Sequence, residues 1–390
     1  MAFYESLAAR TRRAPGSALA VDWYRTRLRV WTGDADVHRH VASQHHLVAP
    51  AVPVPDPSPR ADLHAVADPE WIAGLRLGAP SGRRQAFTGE WYREHRDPDG
   101  ETVLVSADTA KHPHALVTKD FRSWAVVAGR AGSLGLVVSR TVRELVREAI
   151  LADGGLMFHG AAAQTPDGRG VFLAGASHSG KTSSAVWLGR WGGRVVGTDR
   201  TFLVPGAGGW LAVGLPVSTR LGAGSVVALG IAEALRGRAP VRAINPFRAG
   251  TTSVAVPRSA PGEPLDKVWL SNAEVLEILG SPFTAATRAD TVVVLERAPG
   301  AEPSVDRLDA ADALAALRPH LLAPDPDYRS RWLAPDPSPE PAVPVLAGLV
   351  ELLRAHTVMR LRWDPSAHCD ARVRRLVAEM ESARDVRVDA

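Results

Sequence analysis

Cysteine is almost absent: the 390-residue chain has one, Cys369. A single thiol cannot close an internal disulfide, so the fold must rest on packing, and a reducing cytoplasm is the expected compartment. Long apolar runs are missing too. No stretch approaches the roughly 20 consecutive apolar residues of a membrane helix. The N-terminal MAFYESLAARTRRAPGSALAV scatters its charges and lacks the apolar core of a signal peptide. There is no dense block of Lys and Arg, and the net charge is only +4, so nucleic acid is not an expected partner. Lysine itself is scarce: Lys111, Lys119, Lys181 and Lys267 are the only four among 46 basic residues. Abundant Ala, Gly and Pro point to a coding bias that favours Arg. A lysine that survives such a bias is a candidate for a task that Arg does not fill, although two of the four read as plain surface lysines.

What is present is an ordinary globular composition, 45% hydrophobic and 23% charged, in a chain long enough for two domains or three. Strand-like alternation in RTRLRVW, ETVLVSAD and WAVVAG predicts a smaller, mostly β N-terminal domain over residues 1–138, interrupted by the proline-rich VAPAVPVPDPSPR. The histidines of DVHRHVASQHH (His38, His40, His45, His46) lack the i,i+4 spacing of a helical zinc pair, and that stretch reads as a solvated loop or strand. From VSRTVRELVREAILADGG onward the period becomes helical, with Val142, Leu145, Val146, Ile150 and Leu151 on one face. A strand LMFHGAAAQ follows, then a turn and the buried strand VFLAG. RVVGTDRTFLV reads as one further strand, TVVVLERA as a buried strand and DAADALAALRPHLL as a helix. A last helix, strand and helix close the chain. Residues 139–390 form the second expected domain, an α/β one.

Between VFLAG and the helix TSSAVWLGRW lies GASHSGKT, residues 175–182. In G-x-x-x-x-G-K-[ST] the glycines let the backbone aim N–H groups at phosphate oxygens, the lysine places a charge on them, and the hydroxyl serves Mg²⁺. The helix dipole adds to the same anion site. One of only four lysines falls at the required position. Asp199 follows Lys181 by 18 residues, at the end of the next strand, and a parallel strand–helix–strand unit would bring it to the same sheet edge. His159 precedes Gly175 by 16 residues on the preceding strand. The plain alternatives are a turn-capping carboxylate for Asp199 and a core histidine for His159.

The stretch FHGAAAQTPDGRGVFLAGASHSGKTSSAVWLGRWGGRVVGTDRTFLV resembles the C-terminal domain of HPr kinase/phosphorylase. It is closer still to HPr-kinase-like proteins of peptide-modification gene clusters, lasso-peptide ones included. The likeness covers about residues 150–205 and is looser toward the C-terminus. It implies an α/β fold, with an HPr kinase/phosphoenolpyruvate carboxykinase-like P-loop nucleotide-binding domain behind the smaller β domain. It also implies phosphoryl transfer from ATP, or another nucleoside triphosphate, with Mg²⁺. Carried over residue by residue, Gly175, Ala176, Ser177, His178, Ser179, Gly180, Lys181, Thr182 and Ser183 would cradle the phosphates. Thr182 and Asp199 would hold the metal, Asp199 would be the base, and His159 would line the site. Two departures stand out. Where the family often carries paired acids, this chain has Thr198-Asp199. The downstream Glu-Arg-Gly signature is not evident either; Arg220 in STRLGAGS is the nearest basic candidate for stabilising transition-state charge, and surface arginine is as good a description of it. Lys267, opening DKVWLSN, is a further site candidate. The implied acceptor is a Ser/Thr hydroxyl of a ribosomally made precursor peptide. A small hydroxylated metabolite such as free serine, and a non-catalytic nucleotide-binding regulator or scaffold, are the alternatives. No membrane partner is expected, and a homo-oligomer is an open alternative.

Overall fold

A computed structural model describes residues 3–14, 18–47, 61–86, 90–97, 99–107, 113–206, 208–236, 267–322, 331–335, 337 and 342–364. Lys111, Cys369, the first proline-rich stretch from residue 48 to 60 and the last expected helix lie outside them.

The chain opens with α1 (Phe3–Arg12), β1 (Ala18–Trp23), β2 (Thr26–Thr32) and α2 (Ala35–Gln44). Then come β3 (Ala61–Ala67), α3 (Pro69–Gly74), β4 (Gly82–Gln85), β5 (Trp91–Arg96), β6 (Thr102–Ser106), β7 (His114–Thr118) and β8 (Trp124–Ala128). The strands form one mixed sheet in the order β1-β2-β3-β8-β7-β6-β5-β4. Its central strands β7 and β8 are buried along their whole length, because helices cover both faces. On one face Val37, Val41, Leu134 and Val138 pack against Leu63, Leu116 and Val126. On the other, Tyr4, Leu7 and Ala8 of α1 pack against Val117 and Val127. The histidine stretch is helical rather than loop or strand. Asp34 caps α2 by accepting from the N–H groups of Asp36 and Val37 at its first turn, and Val37 and Val41, one turn apart, seat it. His45 at its end is buried.

Helix α4 (Ala131–Ala152) joins this sheet to a second one. The boundary expected between residues 138 and 139 lies inside it, and the helix belongs to both cores: Val137 and Val138 pack on the first sheet, Val146, Ile150 and Leu151 on the second. The chain continues through β9 (Leu156–Gln164), β10 (Gly170–Gly175), α5 (Lys181–Arg190), β11 (Arg194–Gly197), β12 (Arg200–Gly206), β13 (Gly209–Gly214), β14 (Thr219–Leu221), α6 (Ala223–Ala228) and α7 (Ala232–Arg236). It then forms β15 (Val268–Leu270), α8 (Asn272–Leu279), β16 (Ala286–Arg288), β17 (Thr291–Arg297), β18 (Ser304–Arg307), α9 (Ala310–Leu317), α10 (Ala342–Ala355) and β19 (Val358–Trp363). The second sheet runs β16-β13-β12-β9-β10-β17-β19-β18, with β11 also on β9, and β14 pairs β15 apart from it. The expected strand RVVGTDRTFLV is two strands, β11 and β12, both antiparallel to β9. The molecule is thus a mixed α/β protein. No helix among the described residues is long and apolar enough to cross a membrane.

Residues 331–335, distant in sequence, strap the two halves together. Trp332 stacks on Tyr92 at 4.8 Å between ring centroids and donates its Nε1–H to Glu144 Oε2 at 2.9 Å. The Leu333 N–H donates to Glu148 Oε1 at 2.6 Å. Burial pushes the Glu148 carboxyl up to about 7, against the pull of Arg147 and of the Leu333 N–H. A folded-state pKa above the unfolded one means that the folded chain holds the extra proton. Stability from this group is complete at acid pH and is lost as pH rises from the unfolded value toward about 7. The shift corresponds to at most about 3 kcal/mol. Glu148→Gln keeps an acceptor for Leu333, so its urea midpoint is expected to fall less between pH 5 and pH 8 than the parent's. Equal falls would show that Glu148 is ionised in the fold.

Candidate functional site

GASHSGKT occupies the turn from β10 into α5. Gly175 ends β10 at φ +148°, and a Cβ there would stand 2.5 Å from the Leu295 carbonyl oxygen and 2.7 Å from Ser179 Oγ. No side chain fits. Gly180 caps α5 in the left-handed region at φ +96°, and His178 also has positive φ, at +67°. The loop therefore folds back tightly and leaves the first-turn N–H groups of α5 without intrahelical acceptors. Ser179 Oγ is buried and makes no hydrogen bond. The Ser179 carbonyl accepts from Trp363 Nε1 at 2.9 Å, which ties the loop to the end of β19.

Lys181 opens α5 with only 6% of its surface exposed. Its Nζ donates to the carbonyls of Gly175 at 2.7 Å and Ala176 at 2.8 Å. Desolvation pulls its pKa down to about 8, against the attraction of Asp199, while Lys267 pulls the same way as burial. Thr182 Oγ1 donates to the Thr198 carbonyl at 2.8 Å, and Ser183 Oγ to Ser225 Oγ at 3.0 Å.

Asp199 stands in the break between β11 and β12. It reaches the loop by a different route from the expected parallel pair, because β9 is inserted between β10 and β11. Both neighbours run antiparallel to β9, so β10 and β11 still point the same way and end at the same edge. His159, on β9 between them, brings Nε2 to 3.3 Å from Asp199 Oδ1. Burial would raise the Asp199 carboxyl, but the His159 hydrogen bond and the charges of Arg200 and Arg220 hold it well below the usual carboxylate range. Thr198 is buried, its hydroxyl 3.4 Å from Thr219 Oγ1.

These groups meet in a cavity of about 400 Å³. Its lining includes His159, Ser177, His178, Gly180, Lys181, Thr182, Ser183, Asp199 and Arg220 from the sequence reading, and Lys267 as well. Gly175, Ala176 and Ser179 shape the loop from behind. Arg220 reaches the cavity from β14 with its guanidinium stacked on Trp269, 4.3 Å from the ring centroid. Sequence reasoning missed Arg297 at the end of β17, the Gly222–Ala228 segment and Trp363. Strands β10, β17 and β19 are parallel neighbours, so their carboxyl ends bring Gly175, Arg297 and Trp363 to one edge. It also missed His320, which a bridge between Phe158 and Leu321 sets beside His159. Burial, with the charges of Lys181 and His159, lowers the His320 pKa to about 4, so its imidazole is neutral.

The fit to a Mg²⁺–nucleotide can be tested on these atoms. The Gly175 cradle that a Cβ would fill, the unpartnered Ser179 Oγ and the enclosed Lys181 ammonium suit phosphate oxygens. A hydroxyl and one carboxylate are the sparse oxygen donors that Mg²⁺ takes when phosphates and water complete its shell. Among the described residues no cluster of three or more His, Cys, Asp or Glu could hold a metal by itself. Compared with known proteins, the chain matches no family model and no curated sequence.

Proposed function

We propose that this chain is a Mg²⁺-dependent, ATP-consuming phosphotransferase that phosphorylates a Ser/Thr-type hydroxyl, the acceptor being a ribosomally made peptide. The observation that carries the reading is the convergence of Lys181, in a glycine-formed loop at a helix start, with the Asp199–His159 pair at one sheet edge. When bound, the nucleotide would supply a γ-phosphoryl group made electrophilic by its metal. Lys181 and the loop N–H groups would hold the phosphate oxygens, and Thr182 with Asp199 would hold the metal. The transfer makes a bond from the acceptor oxygen to phosphorus and breaks the bond from phosphorus to the leaving nucleotide oxygen. The hydroxyl proton passes to Asp199, whose orientation His159 fixes. A carboxylate this acidic takes the proton late, which suits a reaction that needs positioning and charge more than covalent help.

The test is phosphoryl transfer from γ-labelled ATP with Mg²⁺ to peptide and small hydroxyl acceptors, beside calorimetric nucleotide binding. Binding without transfer to any acceptor favours the non-catalytic reading. The buried Thr198, where a second acid would stand, is the observation on that side. Lys267 gives a smaller test. It is exposed and lines the cavity, so Lys267→Ala is expected to weaken nucleotide binding by only about two- to fivefold, the scale of an exposed ion pair. An unchanged dissociation constant would make it a surface lysine.

A further inference from the structure

The sheet order gives the site two sides. The phosphate loop follows β10, on one side of β9, while β12 lies on the other. Across the edge the order is therefore loop, His159, then Arg200, which stands directly opposite His159 in the β9–β12 register. A hydroxyl held between Asp199 and a phosphoryl group must direct the rest of its molecule away from the loop, toward β12 and whatever covers it.

Helix α4 covers it. Met157 of β9 and Phe202 of β12 pack under Val146, Ile150 and Leu151 in one cluster, whereas Phe158 and Leu203 belong to the opposite face. Strand alternation then puts His159 and Arg200 on the α4 side with Met157 and Phe202. Arg143 precedes Val146 by three residues and Ile150 by seven, which places it on the stripe that faces the sheet. The chain turns back at Gly154 and Gly155, so α4 and β9 run in opposite directions. Seven helical residues rise about 10 Å and three strand residues advance about 10 Å. Arg143 consequently stands level with the His159 end of β9. Its Nε is shielded from solvent, makes no hydrogen bond and lies 3.6 Å from Glu144 Oε1. Asp199 feels two guanidinium charges, Arg200 and Arg220, and Arg143 on α4 feels the same two.

We propose that Arg143 and Arg200, with Arg220 between them and the phosphate loop, recognise an anionic group on the acceptor. The molecule phosphorylated would then carry a carboxylate or phosphate close to its reacting hydroxyl. This deepens the phosphotransferase reading and rests on it for the word acceptor. Guanidinium groups suit the task because their planar forks pair two-to-two with carboxylate and phosphate oxygens.

The experiment measures binding of two fluorescein-labelled peptides, GEESEE-amide and GQQSQQ-amide, to the full chain with and without Mg²⁺ and a non-hydrolysable ATP analogue. Malate and glycerol serve as competing small hydroxyl compounds. The acidic peptide or malate is expected to bind at least about tenfold more tightly than its neutral counterpart, the scale of a charge-assisted pair. In Arg143→Gln and Arg200→Gln that preference is expected to shrink to within about twofold, with nucleotide affinity unchanged in Arg143→Gln, while Arg143→Lys keeps part of it. A preference confined to the peptide identifies a peptide acceptor, and one confined to malate a small acid. Equal binding of acidic and neutral probes overturns the proposal. So does a preference that survives both arginine variants, or one that only Lys181→Ala removes, since the phosphate loop would then be capturing the acid. If the parent fails to bind the nucleotide analogue, the phosphotransferase reading falls, and the nucleotide-free arm still decides whether the arginines bind anions.

Discussion

Lys181→Ala is expected to weaken Mg²⁺–nucleotide binding by about a hundredfold or more and to abolish phosphoryl transfer. An ammonium has three donors, and two of those on Lys181 are taken by the Gly175 and Ala176 carbonyls. One remains for a ligand oxygen in the cavity that Lys181 lines. The substitution thus removes the cation enclosed by the loop together with the two bonds that hold the loop's curve. It also removes a charge that burial disfavours, so the melting temperature is expected to stay within a few degrees of the parent's. Titration calorimetry with ATP and its γ-labelled transfer assay read both effects. If a folded Lys181→Ala chain binds nucleotide like the parent, the loop is not a phosphate cradle.

Asp199→Asn is the second large effect. Transfer is expected to fall by about a thousandfold, within the range for losing a positioned proton acceptor, and further if the metal is lost as well. Nucleotide affinity is expected to change by only several-fold, because it rests on the loop and Lys181. The amide can keep its contact with His159, 3.3 Å away in the parent, so the fold should persist. Near-parental transfer by this variant, with a confirmed acceptor, would assign the proton to another group. The complementary change is Thr198→Asp. Thr198 is 3% exposed, with the Thr219 hydroxyl as its side-chain neighbour. A carboxylate there, buried beside a second one, is pushed up in pKa. The variant is expected to melt lower and to show an added ionisation in the pH profile of transfer, which the parent lacks.

The local parts of this site were legible in the sequence. Strand β9 occupies the whole of LMFHGAAAQ, β10 ends at Gly175, and α5 begins at the lysine of the motif. These features depend on residues within a turn or two of one another: strand alternation, glycines with positive φ, and a helix start. The helix α2 was signalled in the same way, by Asp34 as its cap and by Val37 and Val41, but the histidines between them masked that pattern.

The tertiary structure alone decided what surrounds the loop. The spacing between Lys181 and Asp199 put both at one sheet edge, yet it could not reveal that β9 is threaded between their strands and carries His159 to Asp199. Arg297 reaches the cavity from a strand end far along the chain, and Trp363 ties the loop to the end of β19. Strand order is set by which apolar faces bury one another across the folded molecule, and that burial has no period within a short window of sequence. The chain by itself thus determined the geometry of the glycine loop at residues 175–182, through glycine conformational freedom and one retained lysine. Folding determined which charges stand opposite that loop, because only packing brings residues 159, 199, 220 and 297 to one cavity.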